Sequence, residues 1–492
     1  MIPGVGQVDL GPLLPELVFG GGLLVLLILN LIVKHARGKV MAVGGVILLI
    51  GVSALAMMSD ESVGEYLFGS VVQDGVTVFF RVFFCAATAL SMGLLVFSFP
   101  EDGEPFLLML SSMLGMFLLA GSNDLVTLFV ALELVSIPSY VLAGYKRNDV
   151  RSGEAALKYV MFGALSSGLM LYGFSFIYGL TGSTSLVQIA GKLGGVSAND
   201  PMLLVALVLV LAGIGYKIAM VPMHFWCPDV YEGSPTAVTA FFSVAPKAAG
   251  FAAIYRLMGM FSPLMTSWGV NALTLFTVAS AITMTFGNLG AIWQTSLKRL
   301  LAYSSIAHAG YILMGFAVLA SNPPMDVAAL ATQAIMFYLA VYLFMNFGAF
   351  LIVDLIERHA GGDAISYFRG LGRSNTVPAL LLAVFLFSLT GIPPLAGFTG
   401  KFLLFAALVK GRLWALAIIG IANTVISLYY YVKVIRDMFL FEPMPDFAEK
   451  LPSPGIRIKG LLATLSILAI VPTLFLGLYW GPLVEWISLK TW

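Results

Sequence analysis

Apolar runs of about 20 residues, separated by short polar stretches, recur from near the N-terminus to the end of the 492-residue chain. That is the length at which an α-helix crosses the hydrocarbon core of a bilayer, and the pattern predicts about 14 spans. The first six are centred near Leu24, Leu48, Leu90, Met113, Leu132 and Leu169. The later eight are centred near Leu211, Gly250, Ala279, Leu313, Tyr342, Leu386, Ile426 and Ile470. The longest polar connections, roughly residues 357–376 and 440–457, are too short to fold separately. The pattern therefore predicts an all-α polytopic membrane protein with one membrane domain over residues 1–492. The first apolar run begins near Pro12, follows no basic n-region or cleavage pattern, and reads as a retained span.

Composition agrees: 60% of residues are hydrophobic and only 10% charged, against roughly 25% charged in a soluble domain. The net charge of +1 gives no electrostatic footprint for nucleic acid. Cys85 and Cys227 lie in or beside apolar segments, have no metal-ligand spacing, and read as small hydrophobes. No phosphate-binding loop, dinucleotide-binding glycine pattern or cysteine ligand set is present, and two candidate membrane histidines are too few for a multi-haem carrier.

The basic residues cluster in alternate loops. They are Lys34, Arg37 and Lys39; Lys146, Arg147 and Arg151; Lys298 and Arg299; Arg358, Arg369 and Arg373; and Arg436, Lys450, Arg457 and Lys459. With every span crossing, all of these loops fall on one side, which the positive-inside rule makes cytoplasmic, leaving both termini outside. Glu101, Asp102 and Glu104 on the inside, and Lys410 and Arg412 on the outside, run against this pattern.

Two spans are interrupted. "GYKIAMVPMHFWCPDVYEGSP" carries three prolines, and "LTGIPPLAGFTGKF" carries Pro393, Pro394 and three glycines. Proline removes a helix hydrogen bond, and in hydrocarbon the freed carbonyl needs protein or water to satisfy it. Paired broken helices in two halves of a transporter point to its transport path. Roughly 185 residues separate Lys217 from Lys401, and Lys247 from Lys433, about the length of five spans. Lysine and proline come in opposite order at the two breaks, so the residues alone leave the repeat open.

Ionisable groups inside apolar spans are expensive and by default functional. Glu133 lies about ten residues from either polar end of its span, and a carboxylate there is protonated, paired or hydrated. Lys217 precedes the first break; Lys247 is near mid-span; Lys401 follows the second break. A lysine whose pairing with a carboxylate such as Glu133 changes can gain and lose a proton, the logic of a relay. The alternative is a static ion pair that packs helices. His224, just after Pro222, and His308 can exchange protons near neutral pH. Lys433 lies nearer a helix end, where snorkelling explains it; Arg81 opens its span and is expected to do the same. His35 and His359 read as loop residues, and Asp229 and Glu232 as either a proton entrance or a solvated loop.

The segments "MHFWCPDVYEGSPTAVTAFFSVAPKAAG", "LKRLLAYSSIAHAGY", "GEAALKYVMFGALSSGLMLYG" and "LTGIPPLAGFTGKF" resemble the subunit N family of antiporter-like membrane subunits of bacterial NADH-quinone oxidoreductase, respiratory complex I. The resemblance spans essentially the whole chain. The wording "PDVYEGSPT" is unlike the related L and M subunits, and no long amphipathic helix such as the L subunit would have is read after span fourteen. It implies two inverted five-helix repeats with spans seven and twelve broken: helices 1–3 over about residues 1–104, repeats over about 105–260 and 265–440, and helix 14 over about 455–492. It also implies a proton relay in which Glu133 and Lys217 form the input pair, Lys247 links, Lys401 is terminal, and His224 and His308 bridge. On this resemblance the chain binds no cofactor itself, and NADH, FMN, Fe–S clusters and quinone are handled by other subunits. Its partners would be those subunits, especially antiporter-like neighbours, and the lipid of a bacterial inner membrane. The rival readings are a subunit of an Mrp-type cation/proton antiporter, or of a related ferredoxin- or hydrogenase-linked complex.

Overall fold

The computed structural model describes residues 11–59, 64–196, 200–442 and 458–491, with side chains described except at 261–271 and 491. Lys450 and Arg457, counted above among the loop charges, lie outside these residues.

The chain is an all-α polytopic membrane protein. Among the described residues, twelve helices are long and apolar enough to cross a membrane. They begin with α1 (Leu14–Ile32), α2 (Arg37–Met58) and α3 (Gly75–Ser98). The shorter apolar α4 (Glu104–Ala120) is followed by α5 (Leu125–Ala143) and α6 (Val150–Thr181). After the short α7 (Leu186–Leu193), the seventh span is split into α8 (Pro201–Ile218) and α9 (Trp226–Gly233). The run α10 (Thr236–Ile292) holds two apolar spans, Thr236–Met260 and Ala272–Ile292, and its backbone stays helical between them. Then come α11 (Leu297–Ala320), α12 (Met325–Ala360) and the four-residue α13 (Leu371–Ser374). The twelfth span is split into α14 (Thr376–Thr390) and α15 (Ala396–Lys410), each 15 residues. Each half is about 22 Å long, too short to cross a core of about 30 Å alone. The chain ends with α16 (Trp414–Leu440), α17 (Leu461–Leu478) and α18 (Gly481–Thr491). Counting each split pair once and both spans of α10 gives the expected fourteen crossings.

One feature was not expected: a small antiparallel hairpin, β1 (Gly64–Tyr66) with β2 (Val71–Gln73), sits between α2 and α3.

Helix starts follow local chemistry. Asp74, Asp124, Asp149, Asp200 and Ser296 each accept a backbone N–H of the following turn, satisfying amides that have no partner within the helix. At both breaks the chain enters a left-handed residue, Ala219 and Gly391, and then a cis proline, Pro222 and Pro394.

Burial separates an axis from a lipid-facing ring. The first span of α10 is wholly buried and α11 and α12 nearly so, whereas α1 and α17 expose most of their surface. Apolar surface that faces lipid needs no protein cover, while helices carrying charge must be enclosed. Every candidate lysine lies on or against this enclosed axis.

The acidic connection between α3 and α4, which ran against the charge pattern, packs on the basic turn before α2. Glu101 Oε2 accepts the Ala36 N–H at 2.8 Å and Glu104 lies 4.0 Å from Arg37. These acids are thus partners of the basic loop at the same end of the bundle. Arg81 does not snorkel as expected. It is fully buried, donating to Glu16 Oε1 at 2.7 Å and to Gln73 Oε1 at 2.6 Å, and a buried guanidinium needs such acceptors. His359 lies in the last turn of α12, its ring Nδ1 2.8 Å from the Leu355 carbonyl, and is not a loop residue. His35 is an exposed connecting residue, as expected.

Candidate functional site: a buried lysine and histidine chain

Glu133 is half-buried on α5 and accepts a hydrogen bond from Ser167 of α6. The Lys217 amine, at the end of α8, does not touch it directly. It donates to Ser136 Oγ at 3.0 Å, and Ser136 lies three residues, about one turn, beyond Glu133. Ser136 gives its own proton to the Leu132 carbonyl at 2.7 Å, so its lone pairs face the amine. The carboxylate and lysine expected to pair are thus not in direct contact: Glu133 is held by Ser167 and Lys217 by Ser136, one turn apart along α5. Lys217 is 3% exposed, which makes that hydroxyl an essential acceptor for a buried cation.

The stem of Lys217 packs on α10 at Gly250; a Cβ added there would stand 3.3 Å from its Cβ and Cγ. One turn earlier on α10, Lys247 points to the other half of the molecule. Its amine donates to Ser305 of α11, lies 3.7 Å from Cys227 Sγ, and is 5.3 Å from the centre of the Tyr231 ring. Cys227 is thus more than the filler its spacing implied: it lies against the Lys247 amine.

The next links lie along one face of α11, where Ser305, His308 and Tyr311 recur at helical spacing within about 9 Å of rise. His308 Nδ1 is 2.6 Å from the Tyr338 hydroxyl, and Nε2 is 3.5 Å from that of Tyr431, which also bonds Ser304. On this helix His308 stands three residues after Ser305, which bonds Lys247, and three before Tyr311, whose ring faces the Lys401 amine. The Lys401 amine lies 4.4 Å from the centre of the Tyr311 ring and donates to the Thr390 carbonyl at 2.9 Å. That carbonyl is one the break after α14 leaves without its helical partner. The second break thus supplies the acceptor for its own lysine, and the first has its lysine in the last turn of α8.

His224 is placed apart from this chain. Its ring packs between Phe225 and Phe286, with centroids 4.5 and 4.7 Å away, and its buried Nδ1 has no hydrogen-bond partner. Lys433 is half-buried on α16. Asp229 and Glu232 are on α9, not a loop. Arg299 Nη1 lies 2.6 Å from Asp229 and 2.8 Å from Glu232, while Lys158 lies 2.6 Å from Asp229. This network fixes the outer end of the broken span to α6 and α11.

Sequence reasoning passed over Ser136, Ser305, Tyr338, Tyr431 and the Thr390 carbonyl. The signal for the two serines was available: each stands three residues from a charged or titratable member on the same helix face. The tyrosines come from other helices and carry no local signal. Among the described residues, no group of three or more His, Cys, Asp or Glu side chains could hold a metal ion.

A family described as NADH:quinone oxidoreductase/Mrp antiporter, transmembrane, matches residues 122–427, which include Glu133, Lys217, Lys247, His308 and Lys401. The protein belongs to that family. NADH-quinone oxidoreductase subunit N of Anaeromyxobacter sp. is 42% identical, over 96% of this chain and 94% of the relative. NAD(P)H-quinone oxidoreductase subunit 2 of Thermosynechococcus vestitus is 39% identical, over 99% of this chain and 94% of the relative. Among solved structures, a chain of respiratory complex I from Thermus thermophilus is 30% identical with a TM-score of 0.77, covering 96% of this chain and 98% of that one. A chain of the Mrp complex from Dietzia sp. has a TM-score of 0.82 at 24% identity, with 98% and 96% covered, and shares the fold. The family thus spans both redox-linked and antiporter complexes on one architecture.

Proposed function

We propose that this chain is a proton-translocating membrane subunit of a redox-driven quinone oxidoreductase, moving protons along Glu133, Ser136, Lys217, Lys247, Ser305, His308 and Lys401. The carrying observation is that three buried lysines and a histidine, each held by neutral hydroxyls or a carbonyl, succeed one another along the enclosed axis. A buried ammonium without a carboxylate in contact is held only weakly in its charged form, so small changes of hydration or of a neighbouring charge move its proton. A chain of such groups passes charge because protonating one disfavours the next. Static helix packing would need paired charges, as Arg81 and Glu16 are paired.

The chain holds the proton path, and the energy arrives from quinone reduction in neighbouring subunits. The relatives near 40% identity over almost the full length are quinone oxidoreductase subunits, which favours this over an antiporter subunit. It lies in the bacterial inner membrane with its basic loops cytoplasmic and both termini periplasmic. The two halves, about 105–260 and 265–440, act as inverted repeats with one broken helix each.

Quinone reduction and proton uptake measured together in sealed vesicles test this. Lys217→Ala in the assembled complex should lose proton translocation driven through this subunit while the complex still assembles. Translocation at the normal ratio to electrons transferred would overturn the relay.

A further inference from the structure

At the outer end of the first break, Arg151, Glu154, Lys158, Asp229, Glu232 and Arg299 line a cavity of about 240 Å³. Three basic and three acidic side chains make it polar and nearly neutral overall, a place where water is well satisfied. It opens at the end of the bundle that carries the loop between α5 and α6 and the start of α11. Between it and Lys217 stands an aromatic floor. Tyr159, next to Lys158, stacks on Trp226 of α9 with centroids 4.6 Å apart. The Trp226 indole donates to the Tyr216 carbonyl, and the Tyr216 hydroxyl to the Tyr159 carbonyl, both at 2.9 Å.

The last ring of this floor is Tyr140, edge-on to Tyr159 at 4.9 Å. Its hydroxyl is buried and makes no hydrogen bond of good geometry, with the Ser136 and Tyr216 hydroxyls interacting with it at longer range. Leaving a buried hydroxyl unpaired costs about 1–3 kcal/mol, while phenylalanine would fill the same space without that cost. Tyr140 lies four residues beyond Ser136 and seven beyond Glu133, spacings that share one helix face. Across from it α6 carries Gly163. A Cβ there would stand 1.9 Å from the Tyr140 hydroxyl and 2.9 Å from that of Tyr216. The space left by the missing side chain is where the two hydroxyls meet, and Tyr159, Tyr216, Lys217 and Glu133 are the titratable groups around it.

We propose that the Tyr140 hydroxyl passes protons from the Arg151–Arg299 cavity to the Glu133–Ser136–Lys217 cluster. The hydroxyl breaks its O–H bond to protonate the Glu133 carboxylate, by way of the Ser136 side, as it accepts a proton from a protonated water on the cavity side, which is left as neutral water. The ring therefore ends neutral and one proton has moved inward. Gly163 keeps the crossing point open. This inference rests on the reading above that Glu133 and Lys217 carry protons.

The test uses the assembled complex in sealed vesicles, comparing Tyr140→Phe, Gly163→Ala and Lys217→Ala for proton uptake per electron and its dependence on D₂O. Tyr140→Phe keeps the ring and its packing, so folding is preserved. It should slow translocation at least tenfold, in the range for a lost proton-transfer group, and enlarge the solvent isotope effect because proton delivery has become the slow step. Gly163→Ala should do the same with the hydroxyl retained. Wild-type translocation in Tyr140→Phe beside a dead Lys217→Ala overturns the Tyr140 assignment and leaves the relay standing. A slowed Tyr140→Phe with an unchanged isotope effect marks a packing role and also overturns it. Normal translocation in Lys217→Ala removes the underlying reading itself.

Discussion

The position of Lys401 depends on a glycine, and that dependence can be measured. Gly391 closes α14 with φ +89°, donating its N–H to the carbonyls of Phe387 and Ser388. A Cβ there would lie 2.9 Å from Lys401 Cδ and 3.6 Å from its amine. Gly391→Ala therefore imposes two effects. The left-handed backbone costs about 1–2 kcal/mol for a residue with a side chain. The added methyl also pushes the lysine stem away from its bond to the Thr390 carbonyl, and a hydrogen bond to a charged group contributes about 1.5–3 kcal/mol. A control separates them. Gly361 caps α12 with φ +79°, and nothing lies within 4 Å of its would-be Cβ. Gly361→Ala should lose about 1–2 kcal/mol of stability and leave translocation intact. Gly391→Ala should show that loss together with a marked fall in protons moved per electron. Both are read by thermal denaturation of the detergent-solubilised complex and by proton uptake in vesicles. Equal effects in the two variants, or normal translocation in Gly391→Ala, would refute the idea that this close approach sets the lysine.

Two further predictions concern the ion pairs that anchor α3. Arg81→Met leaves Glu16 buried without its partner and should destabilise by about 3–5 kcal/mol, whereas the double variant Arg81→Met with Glu16→Gln should recover most of that loss; additive losses in thermal denaturation would show that the two do not act as a pair. For Asp74, burial pushes the carboxyl up, but the Arg256 guanidinium and the Thr77 N–H hold it below the usual carboxylate range. Its contribution is thus present above about pH 4, the unfolded value, and is lost as pH falls through the lower folded value. Stability should fall more steeply on acidification below about pH 4 in the native protein than in Asp74→Asn, and parallel curves would contradict the assignment.

Much of this protein is determined along the chain itself. Bilayer crossing demands local, self-satisfied helices, so length and hydropathy are enough to locate the spans, and prolines at residues 222 and 393–394 are enough to locate both breaks. The cost of a charge in hydrocarbon likewise singles out Glu133, Lys217, Lys247 and Lys401 before any packing is known. What sits opposite each of them is decided only in three dimensions, because the partner comes from another helix at a rotation that hydropathy does not encode. Ser136 against Lys217, Ser167 against Glu133, Tyr338 and Tyr431 around His308, and Cys227 beside Lys247 are contacts of that kind. Packing also separated similar sequence signals. His308 is held by the Tyr338 and Tyr431 hydroxyls while His224 faces phenylalanines, and Arg81, at the head of its span, turns inward to Glu16 instead of outward to water.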